Sequence, residues 1–226
     1  MQYRILGEPM PVVECLLENG ELMKTEAGSM VWMSPNMLMD TKAEGGIGGA
    51  LGRMVSGDSL FLNTYVAQGG QGYIAFGSSF TGSIRAIQIT PDRPLIAQKS
   101  AFLAAEANVE VGIQFQKKIG VGLFGGEGFI MQKFSGFGMV FIEIDGSVVE
   151  RDLAPGEQIV LQTGNLVSMD VTCTLDIVQV PGLKNKLLGG EGFFNTVVTG
   201  PGHVVIQTIN VSRMAAALRP FLPTAS

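Results

Sequence analysis

The chain has 226 residues and a formal net charge of −5, and only 15% of its residues are charged. A negatively charged chain with so few bases is poorly suited to holding a phosphate backbone, so we expect no nucleic-acid partner. The charged fraction is well below the ~25% of a typical soluble domain, which leaves apolar surface to be covered and favours a subunit interface.

The N-terminal part of the chain predicts three strands. Residues 12–17 and 21–25 are predicted strands on either side of Asn19 and Gly20, a pair typical of a hairpin turn. A third strand, 29–33, follows Gly28 and contains Trp32, the only tryptophan, among several methionines. Methionine adapts to irregular surroundings, so we place this segment in the core or in a subunit contact.

The chain shows no targeting signal. Met1 is followed by Gly7 and Pro9 without an apolar run, and no later stretch is long and apolar enough to span a bilayer. We therefore expect a soluble, cytoplasmic protein without a signal peptide. Cys15 and Cys173 lie among apolar neighbours in predicted strands, and we expect buried, reduced thiols, with a disulfide as the less favoured alternative.

Two apolar strands around a glycine-rich turn occur three times in the sequence. The copies are residues 126–142 and 190–206, with a weaker copy over 57–76. We interpret each as an antiparallel hairpin, in which glycine provides the positive backbone angles of the turn. Several adjacent positions are apolar, so we expect these strands to be covered on both faces.

The remaining segments repeat as well. Residues 20–31, 91–103 and 155–167 match one another, so each repeat has two halves, and we divide the chain into repeats over 1–80, 81–145 and 146–226. Units this small bury too little surface to be stable alone, so the repeats should share cores. Ser212 is placed to cap a short helix over 213–218, which ends before Pro220. The predicted fold is all-β with a short C-terminal helix.

Three small, apolar segments join the halves of the repeats, at 36–56, 117–125 and 183–189. None has the spacing of a phosphate-binding loop, and loops that close the ends of the repeats are the preferred interpretation. The alternative is an apolar and basic patch for a protein partner or a membrane surface. Its basic residues would be Arg53, Lys117, Lys118, Lys184 and Lys186.

The sequence offers no catalytic constellation. His203 is the only histidine, and we match its strand position to Gln71 and Met139, which indicates a packed or surface residue rather than a base. Glu127 and Glu191 occupy matching places, and we interpret both as exposed or turn-bonded carboxylates. We therefore predict no enzyme, no catalytic residues, no metal and no cofactor.

Several motifs resemble those of a known family. These are Gly-Asp-Ser-Leu-Phe-Leu-Asn at 57–63, the Gly-Glu-Gly-Phe copies at 126–129 and 190–193, and the Gly-Ser-Met turn at 28–30. Over nearly its whole length the chain resembles a bacterial member of the altered inheritance of mitochondria protein 24 family. The resemblance implies three tandem short double-stranded β-helix repeats, similar to the tryptophan RNA-binding attenuation protein (TRAP-like), and three chains forming a nine-unit ring.

The same resemblance assigns no biochemical activity and no catalytic residues, because none is established for the family. Its yeast mitochondrial members are linked to inner-membrane organisation. We find no repeated set of lysines and arginines in the strands that would carry over the RNA-binding face of the attenuation protein, and a shared fold is a weak guide to function. We therefore expect a homotrimeric scaffold or binding protein. The alternative is a small-molecule-binding or enzymatic cupin-like β-helix protein, which would normally show clustered histidine and glutamate ligands.

Overall fold

The computed structural model describes residues 1–40, 62–117, 128–179, 194–218 and 221, and these residues form an all-β fold. This confirms the predicted fold class. The strands are β1 (Gln2–Leu6), β2 (Val12–Leu17), β3 (Leu22–Glu26), β4 (Met30–Met33), β5 (Met37–Asp40), β6 (Leu62–Ala67), β7 (Gly72–Gly77), β8 (Gly82–Ile89), β9 (Leu95–Gln98), β10 (Phe102–Glu106), β11 (Val109–Lys117), β12 (Phe129–Gly136), β13 (Gly138–Asp145), β14 (Val148–Leu153), β15 (Gln158–Gln162), β16 (Leu166–Asp170), β17 (Thr174–Gln179), β18 (Phe194–Thr199) and β19 (Gly202–Gln207).

The strands pair into four sheets. Sheet 1 has the order β1-β2-β7-β4, and sheet 2 the order β5-β6-β3-β10-β13-β8. Sheet 3 follows with β11-β12-β9-β16-β19-β14, and sheet 4 with β15-β18-β17. All strand pairs within these sheets are antiparallel.

One pairing order occurs in three sets of strands, which we call the first set (β2 to β7), the second set (β8 to β13) and the third set (β14 to β19). In each set the sixth strand lies between the first and the third strand in one sheet. The fifth strand lies between the second and the fourth strand in the next sheet. The sets are joined by main-chain pairing, because the second strand of one set pairs with the third strand of the following set. These junctions are β3 with β10 and β9 with β16.

The predicted hairpins are wrong, although their turns are in the predicted places. Strands β12 and β13 follow each other across Phe137, yet β12 belongs to sheet 3 and β13 to sheet 2. The same holds for β2 and β3 around Gly20. Gly136 and Gly138 have φ of 88° and 147°, so glycine does provide the positive angles there. The turn carries the chain across the core to the facing sheet, instead of returning it along its neighbour.

Three apolar cores lie between successive sheets. The first core, between sheets 1 and 2, contains Phe76 and Phe141, and the second, between sheets 2 and 3, contains Phe134 and Ile142. The third core, between sheets 3 and 4, contains Phe129. Sheets 2 and 3 are thus covered on both faces, as the runs of adjacent apolar residues predicted.

A helix, α1 (Val211–Leu218), follows the last strand. It begins at Val211, so Ser212 lies within its first turn and not at the capping position. The amide of Met214 donates to the carbonyl oxygen of Asn210 at 3.0 Å, and the Asn210 side chain donates to the carbonyl oxygen of Thr163 at 3.0 Å. These bonds tie the start of the helix to the third set of strands.

Candidate functional site

Two strands at opposite ends of the array have an unpaired edge in the described part of the chain. β4 is the last strand of sheet 1, and β15 is the last strand of sheet 4. β4 is the third strand of its set, and its counterparts β10 and β16 pair with a second strand of the preceding set. β15 is a second strand without a following third strand. The free edge of β4 therefore corresponds to one strand, and that of β15 to the other, of the junctions that the chain forms internally, β3 with β10 and β9 with β16.

Exposed apolar side chains accompany both free edges. Val31, at the bulge of β4, is 54% exposed, and Val160 in the middle of β15 is 59% exposed. The residues at the same bulge in β10 and β16 are Leu103 and Val167, which are 2% and 0% exposed. Leu103 packs in the first core and Val167 in the second, so each reaches into the core of the preceding set. Val31 has no preceding set within its own chain.

A groove between sheets 2 and 3 is the candidate ligand site, and we call it the second groove. It encloses a cavity of about 450 Å³. The four consecutive residues 85–88 of β8 line it, so the outer main-chain edge of that strand borders the cavity. Ile87, Ile142 and Val205 provide apolar lining, and Arg85, Arg93 and Asp170 provide charge.

Polar side-chain contacts lie at the rim of this groove. His203 Nδ1 lies 2.7 Å from Asp152 Oδ1, and its Nε2 lies 4.0 Å from Glu150 Oε2. Glu150 Oε1 is also 3.5 Å from an Arg85 guanidinium nitrogen. His203 and Glu150 are exposed side chains, so these contacts add little stability. The histidine is a strand residue at the groove rim, which is the surface alternative of the packed or surface position predicted for it.

Our match of His203 to Gln71 is wrong, because the strand registers place Tyr73 there. Strands β7, β13 and β19 begin at a glycine, and the next residue in each is Tyr73, Met139 or His203. The three amides donate to the side chain at the end of the third strand of each set, which is the last residue of β10 and β16 and the residue just after β4. The acceptors are Ser34 Oγ at 3.0 Å, Glu106 Oε2 at 2.6 Å and Asp170 Oδ2 at 2.8 Å, respectively.

An equivalent groove lies between sheets 1 and 2, and we call it the first groove. Here β1 pairs with the outer edge of β2, the counterpart of β8. Tyr3 packs edge-on against Phe141, with ring centroids 5.1 Å apart. The N-terminal ammonium lies 3.8 Å from Glu106 Oε1 and 4.0 Å from Glu21 Oε1. The chain's own first strand therefore occupies the first groove as an edge strand, with all five of its residues still exposed.

Two neighbouring carboxylates are buried at the end of β13. Glu143 is 9% exposed and accepts bonds from Ser78 Oγ (2.8 Å), the Ser79 amide (2.6 Å) and Ser79 Oγ (3.0 Å). Asp145 is 8% exposed, and burial, helped by the charge of Glu143, raises its pKa to about 6. Burial likewise raises the pKa of the Cys15 thiol to about 12.

Of the five basic residues predicted for the partner or membrane loops, the described chain contains Lys117. Its Nζ donates to the carbonyl oxygen of Ile177 at 2.8 Å, which ties β11 to β17. Both acids of the repeated Gly-Glu-Gly-Phe motif, Glu127 and Glu191, lie outside the described residues. Arg53, Lys118, Lys184 and Lys186 do as well, so the loop hypothesis remains a prediction.

The sequence indicated a core or subunit contact for residues 29–33, which include Val31, but it indicated neither Val160 of β15 nor the second groove. Asp170 could have been found, because it lies three residues after the matched segment 155–167, just as Glu106 lies three residues after the matched segment 91–103. Val160 gave no such signal, since exposed and buried strand valines look alike in sequence. Among the described residues, no group of three or more His, Cys, Asp or Glu side chains is arranged to hold a metal ion. No helix in that part of the chain is long and apolar enough to cross a membrane.

Comparison with known proteins gives matches along most of the chain. A family model described as "Mitochondrial biogenesis AIM24" matches residues 3–209. An uncharacterized protein of Streptococcus pyogenes serotype M6 is 32% identical over 225 residues, which cover 96% of this chain and 88% of that protein. A crystal structure of a Streptococcus pyogenes protein superposes with a TM-score of 0.79 at 27% identity, covering 98% of this chain and 99% of the other.

Proposed function

The chain belongs to the mitochondrial biogenesis AIM24 family, and we propose that it is a non-enzymatic, homo-oligomeric scaffold or binding protein. The observation that carries the proposal is the pair of matching free edges at the two ends of the array. The three strand sets support the view that the subunit consists of three tandem short double-stranded β-helix repeats of the TRAP-like kind.

The free edges pair between copies in the way that the internal junctions pair within one. At those junctions Ala104 pairs with Thr25, and Ser168 pairs with Ala97. If β4 of one copy pairs with β15 of the next in the same register, Trp32 lies opposite Leu161. Two different surfaces then meet, so the contact is heterologous and closes into a ring when the rotation per subunit allows. Three copies give the nine-unit ring that the family resemblance implies.

Apolar burial favours this assembly. Each contact would cover Val31 of one copy and Val160 of its neighbour, both more than half exposed in the free chain. Fully burying a valine contributes about 1.5–3 kcal/mol, so each half-exposed side chain adds roughly 1 kcal/mol besides the main-chain pairing. Neither strand contains a charged residue, whereas strands that stay at a sheet edge usually carry one against unwanted pairing.

The non-enzymatic part of the proposal rests on the sequence, which has one histidine, and on its position at the groove rim. A cupin-like metal enzyme would need several such ligands. Membrane association is the finer form of the scaffold hypothesis, and it rests on the basic loop residues. Replacing Arg53, Lys118, Lys184 and Lys186 together with glutamate should abolish binding to anionic vesicles, and unchanged vesicle binding would remove this part of the proposal.

Native mass spectrometry tests the assembly. We expect the unmodified chain to be a trimer, and Val31→Asp and Val160→Asp each to be monomeric, because an aspartate would enter a neighbour's apolar core. Val178→Asp is the matched control. It changes a 43% exposed valine on β17, at the other edge of sheet 4, and should leave the trimer intact.

Mixing the two monomeric variants tests the head-to-tail geometry. Val31→Asp keeps an intact β15 edge and Val160→Asp keeps an intact β4 edge, so the mixture should form a heterodimer with one sound junction. Formation of that heterodimer also shows that both variants are folded. A monomeric unmodified chain at micromolar concentration, or a mixture that stays monomeric, would refute this assembly.

A further inference from the structure

We propose that the second groove binds an extended peptide with a free amino terminus, added as an antiparallel strand to the outer edge of β8. The inference rests on the binding-protein part of the proposed function and is independent of ring closure, because the groove lies within one chain. The first groove shows the binding mode, since β1 occupies it in this way.

The main chain of β8 is available for a further strand. In the described part of the chain β8 is an edge strand of sheet 2. Its counterpart β2 would likewise be an edge strand of sheet 1 if β1 did not pair with it. Residues 85–88 line the cavity in succession, so the unpaired amide and carbonyl groups of β8 border open space. An extended peptide satisfies such groups, and its alternate side chains enter the pocket beside the edge.

The apolar lining selects one side chain of the peptide. In the first groove Tyr3 lies opposite Cys15 and covers Phe141. The strand registers place Ile87 where Cys15 is and Val205 where Phe141 is. Valine is smaller than phenylalanine, so the second groove leaves more room above its floor. A large apolar or aromatic residue at the third position of the peptide fits this space.

The charges select the amino terminus. Asp170 occupies in the second groove the position that Glu106 occupies in the first groove. One carboxylate oxygen of Glu106 accepts a hydrogen bond from the Met139 amide, and one of Asp170 accepts a hydrogen bond from the His203 amide. The other oxygen of Glu106 faces the N-terminal ammonium at 3.8 Å. Asp170 is placed to receive the ammonium of a bound peptide in the same way. Arg93 stands where Glu21 stands in the first groove, so the ammonium would have one carboxylate partner here instead of two. A further positive charge is disfavoured beside Arg93, so the first side chain of the peptide should be neutral or acidic.

The test uses a dye-labelled hexapeptide with the sequence of residues 1–6, Met-Gln-Tyr-Arg-Ile-Leu, and its N-acetylated form. Binding to the full chain is followed by fluorescence anisotropy. We expect saturable binding of the free peptide and about tenfold weaker binding of the acetylated one, about 1.4 kcal/mol, because acetylation removes the ammonium. Replacing the first methionine with lysine should also weaken binding.

Variants locate the site. Asp170→Asn should reduce affinity for the free peptide about tenfold and abolish the effect of acetylation. Glu106→Gln is the matched control in the first groove and should leave binding of the added peptide unchanged. Hydrogen exchange should show new protection on β8. Val160→Asp disrupts only the proposed ring, so this variant should bind the peptide normally. Loss of assembly and loss of peptide binding can therefore be distinguished.

Three results would overturn the proposal. They are no saturable binding at millimolar peptide, equal binding of the free and acetylated peptides, and lost protection on β1 without new protection on β8. The last would mean that the peptide only exchanges with the chain's own first strand. A variant that fails to fold would be recognised by its circular dichroism, and Arg93→Glu then provides a second measurement. In this variant a lysine at the first peptide position should weaken binding less than it does in the unmodified chain.

Discussion

Replacing Asp145 with asparagine should stabilise the protein at neutral and alkaline pH. Asp145 is 8% exposed at the end of β13, on the same face as the buried Glu143. Burial and the neighbouring charge raise its pKa from 3.8 to about 6, so the folded protein disfavours the ionised form. Asparagine has nearly the same shape and carries no charge.

The sign and size follow from proton linkage. Between pH 3.8 and about 6 the folded state binds more protons at Asp145 than the unfolded state does, so stability falls as pH rises through this window. Above about pH 6 the carboxylate is ionised in both states, and the full cost is present. At about 1.4 kcal/mol per pKa unit, this cost is at most about 3 kcal/mol. Asp145→Asn should recover much of it at about pH 8 and almost none at about pH 4.

Urea unfolding at matched protein concentrations measures the effect, since assembly makes apparent stability depend on concentration. Asp176→Asn on β17 is the control, because it removes an exposed carboxylate and should change the free energy of unfolding little at either pH. If Asp145→Asn gave the same change at both pH values, a packing effect would explain it, and the electrostatic reasoning would be wrong. Destabilisation at about pH 8 would show that the charge itself is stabilised in the folded protein.

Three further predictions concern turns, core and thiols. Gly136→Ala should destabilise by at least about 1 kcal/mol, because a side chain at φ 88° is strained and its Cβ would collide with the Asn108 carbonyl oxygen. Gly112→Ala, which has open space, should be tolerated in the same thermal melt. Phe141→Ala should cost about 3–5 kcal/mol in chemical denaturation, because the ring is fully buried in the first core. Cys15, whose pKa is raised to about 12, should react with a thiol reagent at about pH 8 only after unfolding.

The two acids at the ends of β10 and β16 show how far a sequence can define a site. Glu106 and Asp170 end matching segments, so their equivalence can be inferred from the repeat alone. Their separate roles cannot be inferred from the repeat. Glu106 faces the chain's own ammonium because β1 folds back onto β2, whereas Asp170 borders an open cavity. That difference depends on a strand distant in sequence from both acids.

The sequence by itself determined the all-β class, the places of several strands and of the glycine turns, and the coverage of the central strands on both faces. It did not predict β1, and β5 lies in the segment 36–56 that we interpreted as a loop. Each feature that it determined depends on local chemistry: β-branched and apolar residues favour extended chain, and glycine permits the positive angles at Gly136. Such signals extend over a few neighbouring residues, and a single chain carries them without reference to its tertiary partners.

Only the tertiary structure decided which strands pair. A glycine turn has the same local chemistry whether the chain returns along its neighbour or crosses to the facing sheet, so β12 and β13 looked like a hairpin. Their adjacent apolar residues must be buried on two sides, and sheets 2 and 3 meet this need by stacking between separate cores. The same stacking leaves one edge of β4 and one edge of β15 unpaired in the described part of the chain and opens the second groove, because burial is completed by strands distant in sequence.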